Sequence, residues 1–310
     1  MNSGKRLKNY FVTFPKAMKK CWPLHVCVLA PIIMLLIFSY APMSGLALAF
    51  KRYIATMGIF GSPSVGWNNF ADLFKLPLFW PSVWNTFKIA VLKIVISFPV
   101  PIIVALLLNE VKQMKVKKVI QTVIYLPYFL SWAVLSGIIL DIFSLEGAVN
   151  SIVNALGLKD IYWLGESVPF IAMLVITDIW KNFGYSTVIY LASITGIDPS
   201  LYEAAQVDGA TRWKQTWHVT IPGIMPMAVL LAVLNLGNVL NAGFDQIFML
   251  MNNLVRGDVE IIDTLTYDIT FTNRNYGLAT AAGLFKSFIA MVFMFAGWYL
   301  AHRFSDYKIF

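Results

Sequence analysis

Residues 203–222 read EAAQVDGATRWKQTWHVTIP, a run of polar and small residues set between two of the most apolar segments of the chain. A connection that only returned the chain across a membrane could be far shorter. Upstream, Asp198-Pro199 is a helix start: the Asp side chain accepts from orphan backbone N–H groups, and Pro fits the first helical position, where no N–H is needed. The pattern continues as a helix through SLYEAAQV, and Gly209 suits a helix end or a sharp turn. A second short helix is expected over TRWKQTWHV, stopped by Pro222 before the next apolar segment. Ala204, Ala205, Gly209 and Ala210 are small and would let a partner backbone approach closely, with Glu203 as a charged anchor beside them. The stretch therefore reads as a helix–turn–helix shaped to dock into another protein. An amphipathic helix resting on lipid fits the same composition, which favours neither.

The rest of the chain says what this loop is attached to. Of its 310 residues 58% are hydrophobic and 13% charged, and the mean hydropathy is +0.69. Soluble domains carry roughly 25% charged residues, so this chain uses lipid as its solvent. Its apolar segments lack period-2 alternation, which favours helices over a barrel. At about 20 residues per span, six segments qualify: 23–43, 85–109, 119–143, 168–194, 223–250 and 279–301. Pro99 and Pro101 are expected to kink the second. The formal net charge of +8 has no aromatic-spaced basic patch of the kind nucleic acid needs, and is read as charge facing a membrane surface. Cys21 and Cys27 have no partners at metal-ligand spacing and are read as packing residues. The basic N-terminus precedes no small-residue cleavage site, so the first apolar run is read as a retained span.

Orientation follows from Lys and Arg. Lys5, Arg6, Lys8, Lys16, Lys19 and Lys20 lie before the first span, Lys112, Lys115, Lys117 and Lys118 between the second and third, and Arg212 and Lys214 in the opening stretch. The other connections are longer and poorer in both. Both termini and the 196–222 loop are therefore expected in the cytoplasm of a multi-pass plasma-membrane protein. The expected organisation is a tail over 1–22, a transmembrane domain over 23–303 and a short tail over 304–310.

The loop also resembles a known pattern. Integral subunits of ABC importers carry an EAA…G…I-x-L-P loop between two late spans. Glu203-Ala204-Ala205, Gly209 and Pro222 match it in identity and spacing, while Val219 and Ile221 are conservative departures. Tyr125-Leu126-Pro127 opening the third span, and LYEAA after IDPS, agree with the same family. The resemblance covers roughly 85–303. It implies an all-α, type I ABC importer permease fold with six transmembrane helices, in which the loop is a coupling helix contacting an ATPase through Glu203, Ala204, Ala205, Gly209 and Ala210. It implies a second homologous permease subunit, two ATP-binding subunits and an extracellular solute-binding protein as partners. Within the family the chain looks most like oligosaccharide permeases; YAPMSGLALAFKRY and Trp67-Asn68-Asn69-Phe70 support that subgroup. No G-x-x-x-x-G-K-[ST] loop is present in this sequence, so ATP and Mg²⁺ belong to the partner subunits.

Polar residues inside spans are costly and are usually functional or paired. Asp178, Lys181, Asn182 and Tyr185 share one helical face of the fourth segment, and Asn235, Asn238, Asn241 and Asp245 one of the fifth. Tyr128 and Trp132 add aromatic surface four residues apart. Asparagines and aromatic rings suit a sugar, but helix–helix hydrogen bonds serve the asparagines equally well, and Asp178 and Lys181 are also placed to pair with each other. Aligned outward from the EAA loop, the resemblance to the larger maltose-permease subunit puts Tyr128, Trp132, Asp178, Lys181, Asn182, Tyr185, Asn235, Asn238 and Val239 on sugar-lining positions. Tyr128, Tyr185, Asn235 and Asn238 keep similar chemistry there, whereas Asp178 and Lys181 replace neutral residues. Lys88, Lys93 and Lys286 are further cations within apolar segments, given no role beyond pairing or snorkelling. An ion-coupled carrier using Asp178, Asp245 and Lys286 is the alternative reading, and it leaves the EAA loop unexplained. A membrane enzyme would need convergent acids, histidines or a metal pair; His25, His218 and His302 are scattered in the sequence.

Overall fold

The structure, a computed structural model, describes residues 22–237 and 239–304. Among these the chain is helical, apart from turns, loops and a single antiparallel bridge between Lys51 and Ser64. That is what an apolar solvent demands: each backbone N–H and C=O must be paired within the segment that carries it. Four described helices are long and apolar enough to cross a membrane: His25–Phe50, Phe79–Glu110, Arg212–Asn235 and Tyr276–Tyr299. A bent pair, Met114–Phe129 and Trp132–Ile142, brings the number to five if it forms one span. The 29-residue helix Ser167–Thr195 has the length, but Asp178, Lys181, Asn182 and Tyr185 lower its hydropathy. One face of it is buried against other helices, while Val168, Ile176, Trp180 and Val188 are exposed.

The segments differ from their sequence outlines where proline or polar contacts intervene. The first is α-helical over Trp22–Leu35, widens to a π turn over Leu36–Tyr40 and tightens to a 3-10 helix over Ala41–Phe50. The second begins at Phe79 and divides at Phe98 into Phe79–Ser97 and Pro99–Glu110, as Pro99 dictates. The third, expected to be one span over 119–143, turns through 101°. Pro127 lies in a short 3-10 turn, Leu126–Phe129, at the bend; it donates no backbone hydrogen bond, and its ring opposes a continuing helix.

The fifth segment corrects two expectations. Pro222 does not stop the preceding helix. The chain runs from Arg212–Gln215 through a π turn, Thr216–Thr220, directly into Ile221–Gly237. A proline ring clashes with the carbonyl four residues earlier in a regular α-helix, and the wider π turn just before Pro222 makes room for it. The segment is also not continuous to 250: residues 241–243 are non-helical, with Gly243 left-handed at φ +92°, and helix resumes at Phe244–Leu250.

The central helix, Ser167–Thr195, organises the packing. Phe170, Met173 and Leu174 join Ile89, Leu135 and Ile247 in one buried cluster, and Tyr190, Leu191 and Ile194 join Ala105, Ile224 and Ala228 in another. Its polar middle lies between the two. At Gly184 the helix approaches the end of Met114–Tyr125 so closely that a Cβ would overlap the Ile124 carbonyl oxygen. A third cluster, built on Phe79, Leu265, Ala281 and Ala282, holds the last long helix, Tyr276–Phe304, to the bundle.

Candidate functional site

Between the two clusters on the central helix lies a cavity of about 420 Å³. Tyr128, Asp178, Asn182, Tyr185, Asn235 and Asn241 supply much of its polar and aromatic wall. They come from the third segment's bend, from one face of the central helix, and from either side of the break in the fifth segment. The Tyr128 and Tyr185 rings are stacked, with centroids 4.3 Å apart, and present an aromatic surface beside the amides. Such a wall matches a polyhydroxylated ligand, whose hydroxyls need paired donors and acceptors and whose C–H faces need flat apolar surface.

The broken helix is held in place by Lys93, 6% exposed. Its Nζ donates to the Ala242 carbonyl oxygen at 2.7 Å, to Gln246 Oε1, and to Asp178 Oδ1 at 3.4 Å. Gln246 is fixed in turn, its Nε2 donating to Leu174 O and Thr177 Oγ1, each at 2.8 Å. A Cβ at Gly243 would lie 2.9 Å from the ammonium, so the close approach depends on glycine there. Non-helical backbone at membrane depth is tolerated where it is buried in protein or lines a cavity, and the Lys93 contact satisfies one of its freed carbonyls.

Of the residues singled out from sequence, Tyr128, Asp178, Asn182, Tyr185 and Asn235 are brought together on the cavity wall. Trp132, Lys181 and Val239 lie off it. Trp132 packs against the first buried cluster, and Val239 is 3% exposed. Asn238 lies outside the described residues. Lys181 turns away from the cavity, into the bend: its Nζ donates to the carbonyls of Pro127 at 3.3 Å, Tyr128 at 2.9 Å and Leu130 at 2.5 Å. Asp178 therefore pairs across the bundle with Lys93 rather than along its own helix with Lys181. Lys93, Ser97 and Ser186 also line the cavity and were not assigned to it from sequence. The only signal for Lys93 was a charge inside an apolar helix. Lys88 and Lys286 take other partners, the Asp258 carbonyl and the Asp263 carboxylate.

The EAA stretch sits at one end of the bundle. Asp198 caps Pro199–Val207, accepting from Ser200 N–H at 2.9 Å; this bond holds its carboxyl below the usual carboxylate range. Gly209 has φ +73°, the left-handed conformation that closes a helix at low cost only with glycine. Glu203, Ala204 and Gly209 are exposed, and Ala205 and Ala210 partly so. Two contacts tie the stretch to the bundle: Tyr202 OH with Thr220 Oγ1 at 2.9 Å, and Arg212 with Glu110 at 3.6 Å.

A helical bundle with apolar flanks, a polar cavity at a broken helix and an exposed helix–turn–helix at one end defines an integral membrane transport component. More narrowly, the chain belongs to the family described as binding-protein-dependent transport system inner membrane component, whose model matches residues 97–306. Protein LplB of Bacillus subtilis is 36% identical over 96% of this chain and 94% of its own. The polygalacturonan/rhamnogalacturonan transport system permease protein YteP of the same organism is 37% identical over 93% and 90%. Among solved structures, a chain of a bacterial ABC transporter involved in the import of the acidic polysaccharide alginate superposes with a TM-score of 0.85. It is 34% identical, over 95% of this chain and all of that one. A further structure of the bacterial alginate transporter, in complex with alginate pentasaccharide-bound periplasmic protein, superposes equally well. The ABC importer permease resemblance of the EAA loop thus holds along nearly the whole chain, and the protein is a transport subunit rather than an enzyme.

Proposed function

We propose that this chain is one permease subunit of an ATP-driven importer that takes up an oligosaccharide handed over by an external solute-binding protein. The observation that carries this reading is the cavity: stacked tyrosines, three asparagines and an ion pair gathered at a helix break inside an otherwise apolar bundle. The relatives named for polygalacturonan and alginate support a saccharide. The second homologous permease subunit completes the pathway, and one of two ATP-binding subunits docks on the exposed 199–210 stretch, which faces the cytoplasm with both termini. Closure of the ATPases pulls on that stretch. Because Arg212–Asn235 is a single helical run, the pull reaches Asn235 on the cavity wall, and the two permeases rock about the site in alternating access.

The test is reconstitution of the assembled transporter in liposomes with its binding protein. Oligosaccharide uptake should require ATP on the loop side, and saccharide-loaded binding protein should stimulate hydrolysis. Uptake driven by a proton gradient in the absence of ATP would instead select the ion-coupled carrier.

A further inference from the structure

We infer that the cavity is built for a carboxylated saccharide, with Lys93 recognising the carboxylate and Asp178 serving as the counter-ion that the substrate displaces. This rests on the saccharide reading above and narrows it. Among the described residues, Lys93 and Asp178 are the only charged side chains on the cavity wall. Lys181, 8% exposed, lies one helical turn from Asp178 and is bonded to backbone carbonyls. Two buried cations thus lie near one carboxylate, which pairs only with Lys93. Excess positive charge in a low-dielectric interior is unfavourable until an anion arrives, and the cavity is the open route by which one can.

The Lys93 contacts show where it would bind. An ammonium has three donors. One is committed to Ala242 O at 2.7 Å, and a second to Gln246 Oε1, whose amide is clamped from its other end by Leu174 and Thr177. The third meets Asp178 at 3.4 Å, well beyond the roughly 2.7–2.9 Å of a good charge-assisted bond. The looser side chain of the pair is the acid: Asp178 is 20% exposed and Lys93 7%. A substrate carboxylate entering from the cavity can take the third donor at ordinary length while Asp178 moves aside, still one turn from Lys181. A neutral sugar offers only a dipole in exchange for that ion pair and gains little by displacing it.

The test uses the assembled transporter in nanodiscs without its binding protein, so that any selectivity belongs to the membrane site. The probes are a galacturonate trisaccharide and its methyl-esterified, uncharged form, titrated calorimetrically. Wild type is expected to bind the acid at least tenfold more tightly than the ester. Asp178→Asn, which removes the competing anion, should widen that ratio about tenfold further. Lys93→Gln should bring the ratio close to one, and Lys93→Arg should keep most of it. A wild-type ratio near one, or an unchanged or narrower ratio in Asp178→Asn, overturns the assignment while leaving the saccharide reading intact. Because Asp178→Asn keeps the Lys93 network, its result decides even if Lys93→Gln fails to assemble. Binding of neither probe to wild type would overturn the saccharide reading itself.

Discussion

The ring of Tyr128 lies flat against that of Tyr185, 8° from parallel with centroids 4.3 Å apart, although Tyr128 belongs to the third segment's bend and Tyr185 to the central helix. Both line the cavity, so the pair fixes the aromatic wall against which a sugar ring can lie. Stacked aromatic pairs contribute about 0.5–1.5 kcal/mol beyond the area they bury. Tyr185→Ala should therefore weaken saccharide binding by a few-fold to about tenfold, and Tyr185→Phe should bind nearly as wild type. Equal affinity for Tyr185→Ala and wild type, measured by calorimetry on the assembled transporter, would remove the stack from the site.

Gly184 tests the packing that brings those rings together. A methyl group there would overlap the Ile124 carbonyl oxygen, a backbone atom that cannot step aside alone. Gly184→Ala should force the central helix away from Met114–Tyr125. The cost is expected at about 1–3 kcal/mol or more. Thermal unfolding of the purified complex should show a clear fall in midpoint, and saccharide affinity should fall with it because Tyr185 is displaced. An unchanged midpoint would mean that the two helices are not in contact at this glycine.

Sequence exposed the helices, the helix–turn–helix at 199–215 and most of one polar face, because each has a local period or a local cap. It did not expose the breaks, because their stability comes from far along the chain. Pro127 marks a weak point in the third segment, but the bend is held by Lys181, more than fifty residues away. The break near Ala242 is held by Lys93, 149 residues earlier. Pairing Asp178 with Lys181 followed from helical spacing; across the bundle Lys93 competes for the same carboxylate and wins. Pro222 was read as a stop because proline opposes a regular helix, and the π turn before it has no sequence signature of its own.

Asp198 supplies a prediction about pH. Its folded carboxyl is held below the ordinary aspartate value of 3.8 by the Ser200 N–H, so the cap's contribution is present above that value and is lost as pH falls through the lower folded pKa. Protection of the first amides of Pro199–Val207 against hydrogen exchange, referred to the intrinsic rate at each pH, should fall as the medium becomes more acidic than pH 3.8. Asp198→Asn keeps an acceptor oxygen and should abolish this acid sensitivity. Identical pH profiles for the two proteins would show that the cap does not govern the helix start.

Gly209 offers a test of the docking proposed for the loop that is separate from its folding. Among the described residues, its two chain neighbours apart, no atom lies within 4 Å of where its Cβ would be, so a Cβ there meets open space. Asp and Asn tolerate the left-handed conformation better than most residues, and at similar cost, so the pair isolates charge. Gly209→Asp is expected to reach the membrane at normal levels with saccharide-stimulated ATP hydrolysis cut at least tenfold. Gly209→Asn should be less affected. Full stimulated hydrolysis and uptake by Gly209→Asp would show that this turn does not face the ATPase.

Lys181 decides between a bracing side chain and a ligand for substrate. Its ammonium fills the gap opened by Pro127, donating to the carbonyls of Tyr128 and Leu130 as well as to that of Pro127. The Pro127 carbonyl also accepts from Leu130 N–H at 3.2 Å and would keep a partner if Lys181 were removed. In Lys181→Met the carbonyls of Tyr128 and Leu130 lose the ammonium donor that Lys181 supplies. Each orphaned carbonyl costs about 1–3 kcal/mol. The loss should appear as a lower unfolding midpoint and a lower yield of assembled complex, and Asp178→Asn on the same chain should not restore either, because it returns no donor to the bend. Lys181→Arg keeps the charge but carries a wider planar head, so it should recover only part of the loss. If Lys181→Met instead assembled with a wild-type midpoint and failed only in saccharide binding, the lysine would be a ligand for substrate, and the bend would have to be held by other contacts.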